Sequence, residues 1–518
     1  MNLKSPVATV LLTIVIGTLF RLFLAKAIGL GVDESYVVSI ARYFSLSYFD
    51  HPPLHFWIIW LTAHITGSED GVTLRLPFIA MFAATTWMMY RLGSKLFSEW
   101  AGAYAALLLN ISAVFSLSTG SWILPDGPLM FFMMGATLVL VKLFFEPDLS
   151  WKLWLLVGLL TGLGMLAKYH AVFLILGSLL FVLTTKEYRK VLVSIGPYLA
   201  VATAAIIFLP VLLWNQEHHW ISFLFQSGRG VAKGFYPLNL LKNIGGQAAW
   251  VLPWIWLPLV RVLLKVIANG PAHSIRTPLQ TRQWFLCCLG IGPIVLFTIA
   301  TLWGAQGLFH WQAPGYLLAI PLLGHAVAGW VERGSVITRV WLSASMTVFF
   351  LLVTVLGSHT ATGWMRQVQP QWFQSGDPTT EALNWQDVAG FITGQGMLNS
   401  KTQFIVAAHW IDAGKIDYAL GGEFPVLCLN NQPHHFAYLH TIADYRGKDA
   451  LIIGRKDIVS ASLPLYRSHF ASIEFAGSIP ITRAGVQELE IVIFNARNFS
   501  GTFPLPYGNE LGVGRNKS

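Results

Sequence analysis

Charge is what this sequence has least of. Only 11% of its 518 residues are Asp, Glu, Lys or Arg, against about 25% in a typical soluble domain. A chain of this length with so little charge does not read as a conventional soluble protein. Cysteine is scarce as well. Cys287 and Cys288 sit together in an apolar run and Cys428 lies far from both, which excludes a disulfide framework and argues against thiol redox chemistry. Internal repeats and low-complexity tracts are absent. The glycines of Gly228-Arg229-Gly230 and Gly245-Gly246 follow no strand pattern, so no nucleotide-binding loop is indicated.

Apolar sequence takes the place of charge. Hydrophobic residues make up 54% of the chain and the mean hydropathy is +0.57. The apolar residues gather into runs of about 20, the length that crosses a bilayer. Eleven candidate spans emerge, at 7–28, 72–91, 99–117, 124–142, 152–167, 169–185, 192–213, 244–264, 284–303, 312–331 and 338–357. The first run, Val7 to Ala25, outlasts a signal-peptide core and lacks a small-residue cleavage site, so it reads as an uncleaved signal anchor.

The net charge of +9 and pI near 9.4 do not point to nucleic acid, because the basic residues sit in short loops between apolar runs. Arg91, Lys95, Lys142, Lys152, Lys186, Arg189, Lys190, Arg261, Lys265, Arg276, Arg282, Arg333 and Arg339 fall on one side. Fewer fall on the other: Arg42, Arg75, Lys168, Arg229, Lys233 and Lys242. With Lys4 on the basic side, the rule that positive loops stay inside places the N-terminus in the cytoplasm of a bacterium. An odd number of spans then puts everything after about 358 outside the inner membrane. Trp250, Trp254 and Trp256 suit an interfacial aromatic belt.

The expected organisation is a transmembrane domain over 1–358 and an extracytoplasmic α/β domain over 359–518. The tail is more polar. Its runs 404–408, 426–429, 450–453 and 489–494 read as strands, and 380–394 and 411–420 as helices.

Four clusters of polar residues share the outer face by this topology. The long first loop holds Asp33-Glu34 and then Tyr48-Phe49-Asp50-His51-Pro52-Pro53-Leu54. Leu124-Pro125-Asp126-Gly127-Pro128 opens the fourth span, Lys168-Tyr169-His170 joins the fifth to the sixth, and His310 to Tyr316 opens the tenth. Ionisable groups at membrane depth are costly and mark functional or paired sites. Transfer at an anionic, lipid-held leaving group would use such a set. A carboxylate takes the proton of an incoming hydroxyl, and cationic or hydrogen-bonding groups steady the departing phosphate.

These motifs, with Arg75-Leu76-Pro77 at the second span, resemble membrane glycosyltransferases of GT-C type. The likeness is to bacterial aminoarabinose transferases and protein O-mannosyltransferases, and it covers about 1–360. The resemblance implies an all-α polytopic fold and a polyprenyl-phosphate sugar donor. It also implies a glycolipid, glycan or protein acceptor. Asp33 falls at the position of the catalytic base. Asp50 and His51 fall where aminoarabinose transferases carry an acidic residue and a lysine that contacts lipid phosphate. Lys168 and Tyr316 match a lysine and a tyrosine at that phosphate. Ser35-Tyr36-Val37 replaces the family's Ala-Arg-Tyr, so a basic sugar contact is missing.

Plainer roles compete for several of these residues. Asp33 or Glu34 would serve as a helix cap, Asp126 as a helix start, and Lys168 as a snorkelling anchor. Arg75 reads as an anchor, and His55, His64 and His170 as packing residues. Asp33 and Asp126 remain the catalytic candidates. Glu34, Asp50, His51, Lys168, His310 and Tyr316 are the candidates for substrate binding. The carboxylates would favour magnesium, calcium or manganese, yet no tight ligand spacing assigns a metal. A lipid-linked sugar flippase is the rival class, but transporters gather polar groups at the midplane of related halves. A non-catalytic scaffold is the third.

Overall fold

The computed structural model describes residues 5–146, 150–229, 234–270, 277–304, 309–374, 376–398 and 403–504. Lys4, Gly230, Lys233 and Arg276 lie outside them. The chain divides into two compact units. The first comprises residues 1–23, 51–55 and 75–353; the second comprises 24–50, 56–74 and 354–518. The chain therefore passes from one unit to the other between Asp50 and His51. The second unit holds most of the first loop together with the α/β tail.

Every expected apolar run is helical, but the runs are unequal. Among the described residues, seven helices are long and apolar enough to cross a membrane: Pro6–Ala27, Gly71–Leu96, Asp126–Phe145, Gly196–Glu217, Pro278–Trp303, Ala313–Glu332 and Val336–Thr362. Two bent pairs raise the number to nine if each is one span. The run at 244–264 is one of them. Pro237–Val251 and Pro253–Ala268 meet at 111°, because Leu252 has φ +80° and Pro253 has no N–H to carry the helix on. Glu99–Asn110 is only 12 residues long and leads into a π-helical turn, Val114–Thr119.

That turn answers a charge problem inside the first unit. Arg21 is 3% exposed in the helix Pro6–Ala27, where an unsolvated guanidinium is costly. It donates to Ser116 O at 3.2 Å, Ser116 Oγ at 2.8 Å and Asn110 Oδ1 at 3.1 Å, and lies 4.2 Å from the centre of the Phe82 ring. A Cβ on Gly17 or Gly120 would come within 3 Å of the guanidinium group. The missing side chains make its pocket.

In the second unit, five strands form one mixed sheet. They are β1 (Gln403–Ala407), β2 (Val426–Cys428), β3 (Asp449–Arg455), β4 (Phe470–Arg483) and β5 (Val486–Phe499), in the order β2-β1-β3-β5-β4. β1 pairs parallel with β2 and β3, whereas β5 runs antiparallel between β3 and β4. The sequence pattern anticipates four of these. It misses β4, whose glycine and proline at 477 and 480 hide the strand signal. It also misses the helix Lys456–Tyr466.

The helix Trp410–Ala419 packs on the first-loop helix Val32–Ala41 at very short range. A Cβ on Gly414 would sit 2.9 Å from Tyr36 Cα and 3.0 Å from its backbone nitrogen. Ser39 Oγ donates to Gly414 O at 3.2 Å. Lys415, 4% exposed, donates from Nζ to Leu30 O at 2.6 Å and Leu383 O at 3.0 Å. Arg42 closes the far end, on Glu69 at 2.6 Å and Asp417 at 2.5 Å.

Gly414→Val should therefore lower the thermal midpoint of the detergent-purified protein, by an overpacking cost of about 1–3 kcal/mol. Gly390→Ala, where an added Cβ meets nothing within 4 Å, should leave the midpoint unchanged or raise it. Equal midpoints for Gly414→Val and wild type would show that this contact does not matter.

Candidate active site

Two polar clusters form, one in each unit. In the second unit Asp33 lies in the first turn of Val32–Ala41, behind Gly31. Glu34 is 3% exposed, and its Oε2 accepts from Gly31 N at 2.8 Å. Glu34 thus closes the helix start in the manner of a capping box, while Asp33 points outward and is solvent-accessible.

Protein is nevertheless dense around the Asp33 carboxylate. Burial, then repulsion from Glu381, Asp50 and Glu34, lifts its carboxyl from the usual range to about 6, and His434 pulls the other way. The two observations are compatible: the carboxylate has an open face, but its remaining surroundings are crowded and acidic. A base with its pKa just below neutral is well matched to accepting a proton from a hydroxyl.

Asp50 is 7% exposed. It receives Tyr36 Oη at 3.1 Å and lies 3.3 Å from His434 Nδ1. The same tyrosine oxygen accepts from His435 N at 3.0 Å, and Phe49 N donates to His435 Nδ1 at 3.0 Å. Asp33, Glu34 and Asp50 are thus gathered as the first-loop motifs suggest. Glu381, His434 and His435 come from the tail and were not anticipated. The adjacent histidines after Pro433 were the only available signal, and nothing local ties them to a loop nearly 400 residues earlier.

In the first unit Asp126 opens the helix Asp126–Phe145 and Lys168 ends the helix Trp151–Ala167. A carboxylate at a helix N-terminus and an ammonium at a C-terminus each suit the local dipole. They also meet each other. Lys168 Nζ reaches Asp126 Oδ1 at 2.9 Å and Oδ2 at 3.0 Å, and the two residues are 6% and 4% exposed. His310 and His51 are close enough to join this field. Burial, then the charge of Lys168, lowers His310 to about 4 against the pull of Asp126, with Arg229 and His51 lowering it further. His310 is therefore neutral at pH 7. The ring of His51 lies 5.6 Å from that of His55.

Tyr316 belongs to a different set, a buried network of amides in the same unit. Its hydroxyl donates to Gln247 Oε1 at 2.5 Å and accepts from Trp256 Nε1 at 2.9 Å. Gln247 Nε2 donates to Asn243 Oδ1 at 2.7 Å and to Thr298 Oγ1 at 2.9 Å, and Gln312 Nε2 donates to Asn243 Oδ1 at 3.0 Å. None of these amides was singled out from sequence. Among the described residues no three His, Cys, Asp or Glu side chains are arranged to hold a metal ion.

The chain is similar in fold to the crystal structure of ArnT from Cupriavidus metallidurans in the apo state. The TM-score is 0.61 over 95% of this chain and 98% of that one, at 14% identity. This protein has the GT-C glycosyltransferase fold. Within that GT-C framework, residues 50–214 match the family described as dolichyl-phosphate-mannose-protein mannosyltransferase. Two proteins of Rhizobium johnstonii are similar in sequence. The lipid A galacturonosyltransferase RgtD is 32% identical over 60% of this chain, and the lipopolysaccharide core galacturonosyltransferase RgtA is 24% identical over 57%. The matches span 65% and 59% of those relatives' own lengths. The apolar helices and these likenesses support a multi-pass membrane protein.

The Lys168–Asp126 pair yields a test. Removing one partner of a buried ion pair leaves a stranded charge, at a cost on the order of 3–5 kcal/mol. Lys168→Met and Asp126→Leu should each lower thermal stability markedly, and the double variant should recover much of the loss. Additive losses would show that the two groups are not coupled.

Proposed function

We propose that this protein is a glycosyltransferase that moves one glycosyl unit from a polyprenyl-phosphate sugar to a hydroxyl acceptor at the outer face of a bacterial inner membrane. The accessible Asp33 carboxylate in its acidic setting carries this reading. Asp33 takes the proton of the acceptor hydroxyl as that oxygen attacks the anomeric carbon. The bond from that carbon to the phosphate oxygen breaks, and the electron pair leaves with the lipid phosphate. Attack opposite the leaving group inverts the configuration.

The lipid-phosphate donor is supported by the description of the family matched over 50–214. For the sugar and the acceptor, the names of the two Rhizobium relatives favour a galacturonosyl unit and lipid A or core lipopolysaccharide. Contact with the donor phosphate is assigned by resemblance to Lys168, His51 and Tyr316. An ammonium has three hydrogens, and Asp126 occupies two of those on Lys168. Tyr316 would have to withdraw its proton from Gln247. His310 and Asp50 are left as groups that orient substrate.

Asp33→Asn preserves shape and helix-start chemistry but removes the base, so transfer should fall about 10²–10⁴-fold with purification yield unchanged. The assay uses polyprenyl-phosphate galacturonate and lipid A. In the wild type, turnover should fall as pH drops through about 6, because Asp33 is then protonated. Near-wild-type turnover in Asp33→Asn would remove Asp33 as the base.

Orientation is a separate part of the proposal, resting on loop charge. Alkaline phosphatase fused after residue 370 should be active, and fusions near Arg189 should be silent. The reverse pattern would place the acidic site on the wrong side for this reaction.

A further inference from the structure

The acidic cluster of the second unit is built from two distant stretches of chain, and the tail's share of it has no role in the reaction above. His434 is the tail residue that touches a carboxylate, with Nδ1 3.3 Å from Asp50 Oδ2. Its ring is fixed from several sides: Trp410 at 4.7 Å, Tyr36 at 5.9 Å and Phe49 at 6.2 Å between ring centroids. Its backbone is unusual as well. φ is +51°, a left-handed conformation that costs a histidine free energy and that Asn or Gly adopts more readily. The next residue holds the turn in register, since His435 N bonds Tyr36 Oη and His435 Nδ1 receives Phe49 N. Strained backbone kept by surrounding contacts is common at functional sites. Here the strain aims an imidazole at the carboxylates.

We propose that His434 is a positioning residue for the outer-loop carboxylates, holding Asp50 in place, so that the acidic site is complete only with this turn of the tail seated. The proposal rests on the glycosyltransferase reading for its consequence in turnover, but not for its electrostatic content. Asp50 and Asp33 face His434 from the first loop, and Glu34 and Glu381 add to the negative field at Asp33. His409 feels the charge of Arg455 and then of His434. The sign follows from charge. Without His434 the carboxylates repel one another with less compensation, and Asp33 gains its proton at higher pH.

The test uses the full-length protein in nanodiscs with His434→Ala, His434→Gly and His434→Asn. Carboxyl titration by infrared difference spectroscopy, referenced to Asp33→Asn, reads the Asp33 midpoint without substrate. It should move upward in all three variants, since none carries an imidazole. Turnover of polyprenyl-phosphate galacturonate with lipid A, measured above that midpoint, should drop about tenfold or more in Ala and Gly. Asn tolerates the left-handed backbone and places an N–H near the Nδ1 position, so it should restore most of this loss. Losses in Gly as large as in Ala separate the side chain from backbone strain. An unmoved midpoint in Ala and Gly would overturn the proposal, as would equal turnover losses in all three variants. If Asp33→Asn transfers normally while the midpoint still moves, the catalytic reading fails and the positioning contact stands. If Asp33→Asn is inactive while the midpoint stays put, only the role of His434 fails.

Discussion

The close approach of Gly414 to Tyr36 is the constraint on which the acidic site depends. Two helices can bring their backbones this near only where one presents no side chain, and a Cβ at 414 would stand about 3 Å from the Tyr36 backbone. With that contact made, Tyr36 is held where its hydroxyl can bridge Asp50 and the amide of His435. Lys415 and Arg42 reinforce the docking at either end, on backbone carbonyls and on carboxylates respectively. Asp33, three residues before Tyr36 on the same helix, is placed by the same packing. The Asp33 carboxylate is thus positioned by close backbone packing and hydrogen bonds, and the crowding of its neighbours raises its affinity for a proton.

The first unit solves a related problem in the opposite way. There the charges are not left to repel one another but are neutralised locally. Asp126 and Lys168 sit at the favourable ends of their own helices and on each other. Among the described residues Arg21 has no carboxylate partner and relies on a serine, an asparagine and an aromatic face. In a low-dielectric interior an unpaired polar group is expensive, and these groups meet donors and acceptors on neighbouring helices. The amides around Tyr316 do so only in part, since Asn243 Nδ2 and Gln312 Oε1 are buried with no hydrogen-bond partner among the described residues.

Much of this was legible beforehand. The apolar runs marked the helices because the bilayer demands about 20 apolar residues per crossing. Short continuous apolar runs in the tail marked four of five strands, and β1, β2 and β3 are buried along nearly their whole length. Asp33, Glu34 and Asp50 could be picked out as ionisable groups close together in one loop of a chain poor in charge. Which carboxylate caps the helix and which stays open could not, since Asp33 and Glu34 are equally plausible caps until the backbone turn at Gly31 is known. Lys168 and Asp126 were each legible as sites, but their pairing was not, being a contact across 42 residues.

What the sequence by itself determined is the class of molecule, the places of most of its helices and strands, and the ionisable residues worth attention. These follow from composition and periodicity, which act locally. The tertiary structure alone decided that a span is broken at Leu252, that Lys168 spends itself on Asp126, that Tyr316 is held among amides, and that His434 and Glu381 join the first loop. Apart from the break at Leu252, each of these depends on chain segments tens to hundreds of residues apart. Local pattern carries no information about which distant side chain will meet a given carboxylate, because that is set by how helices and sheet pack.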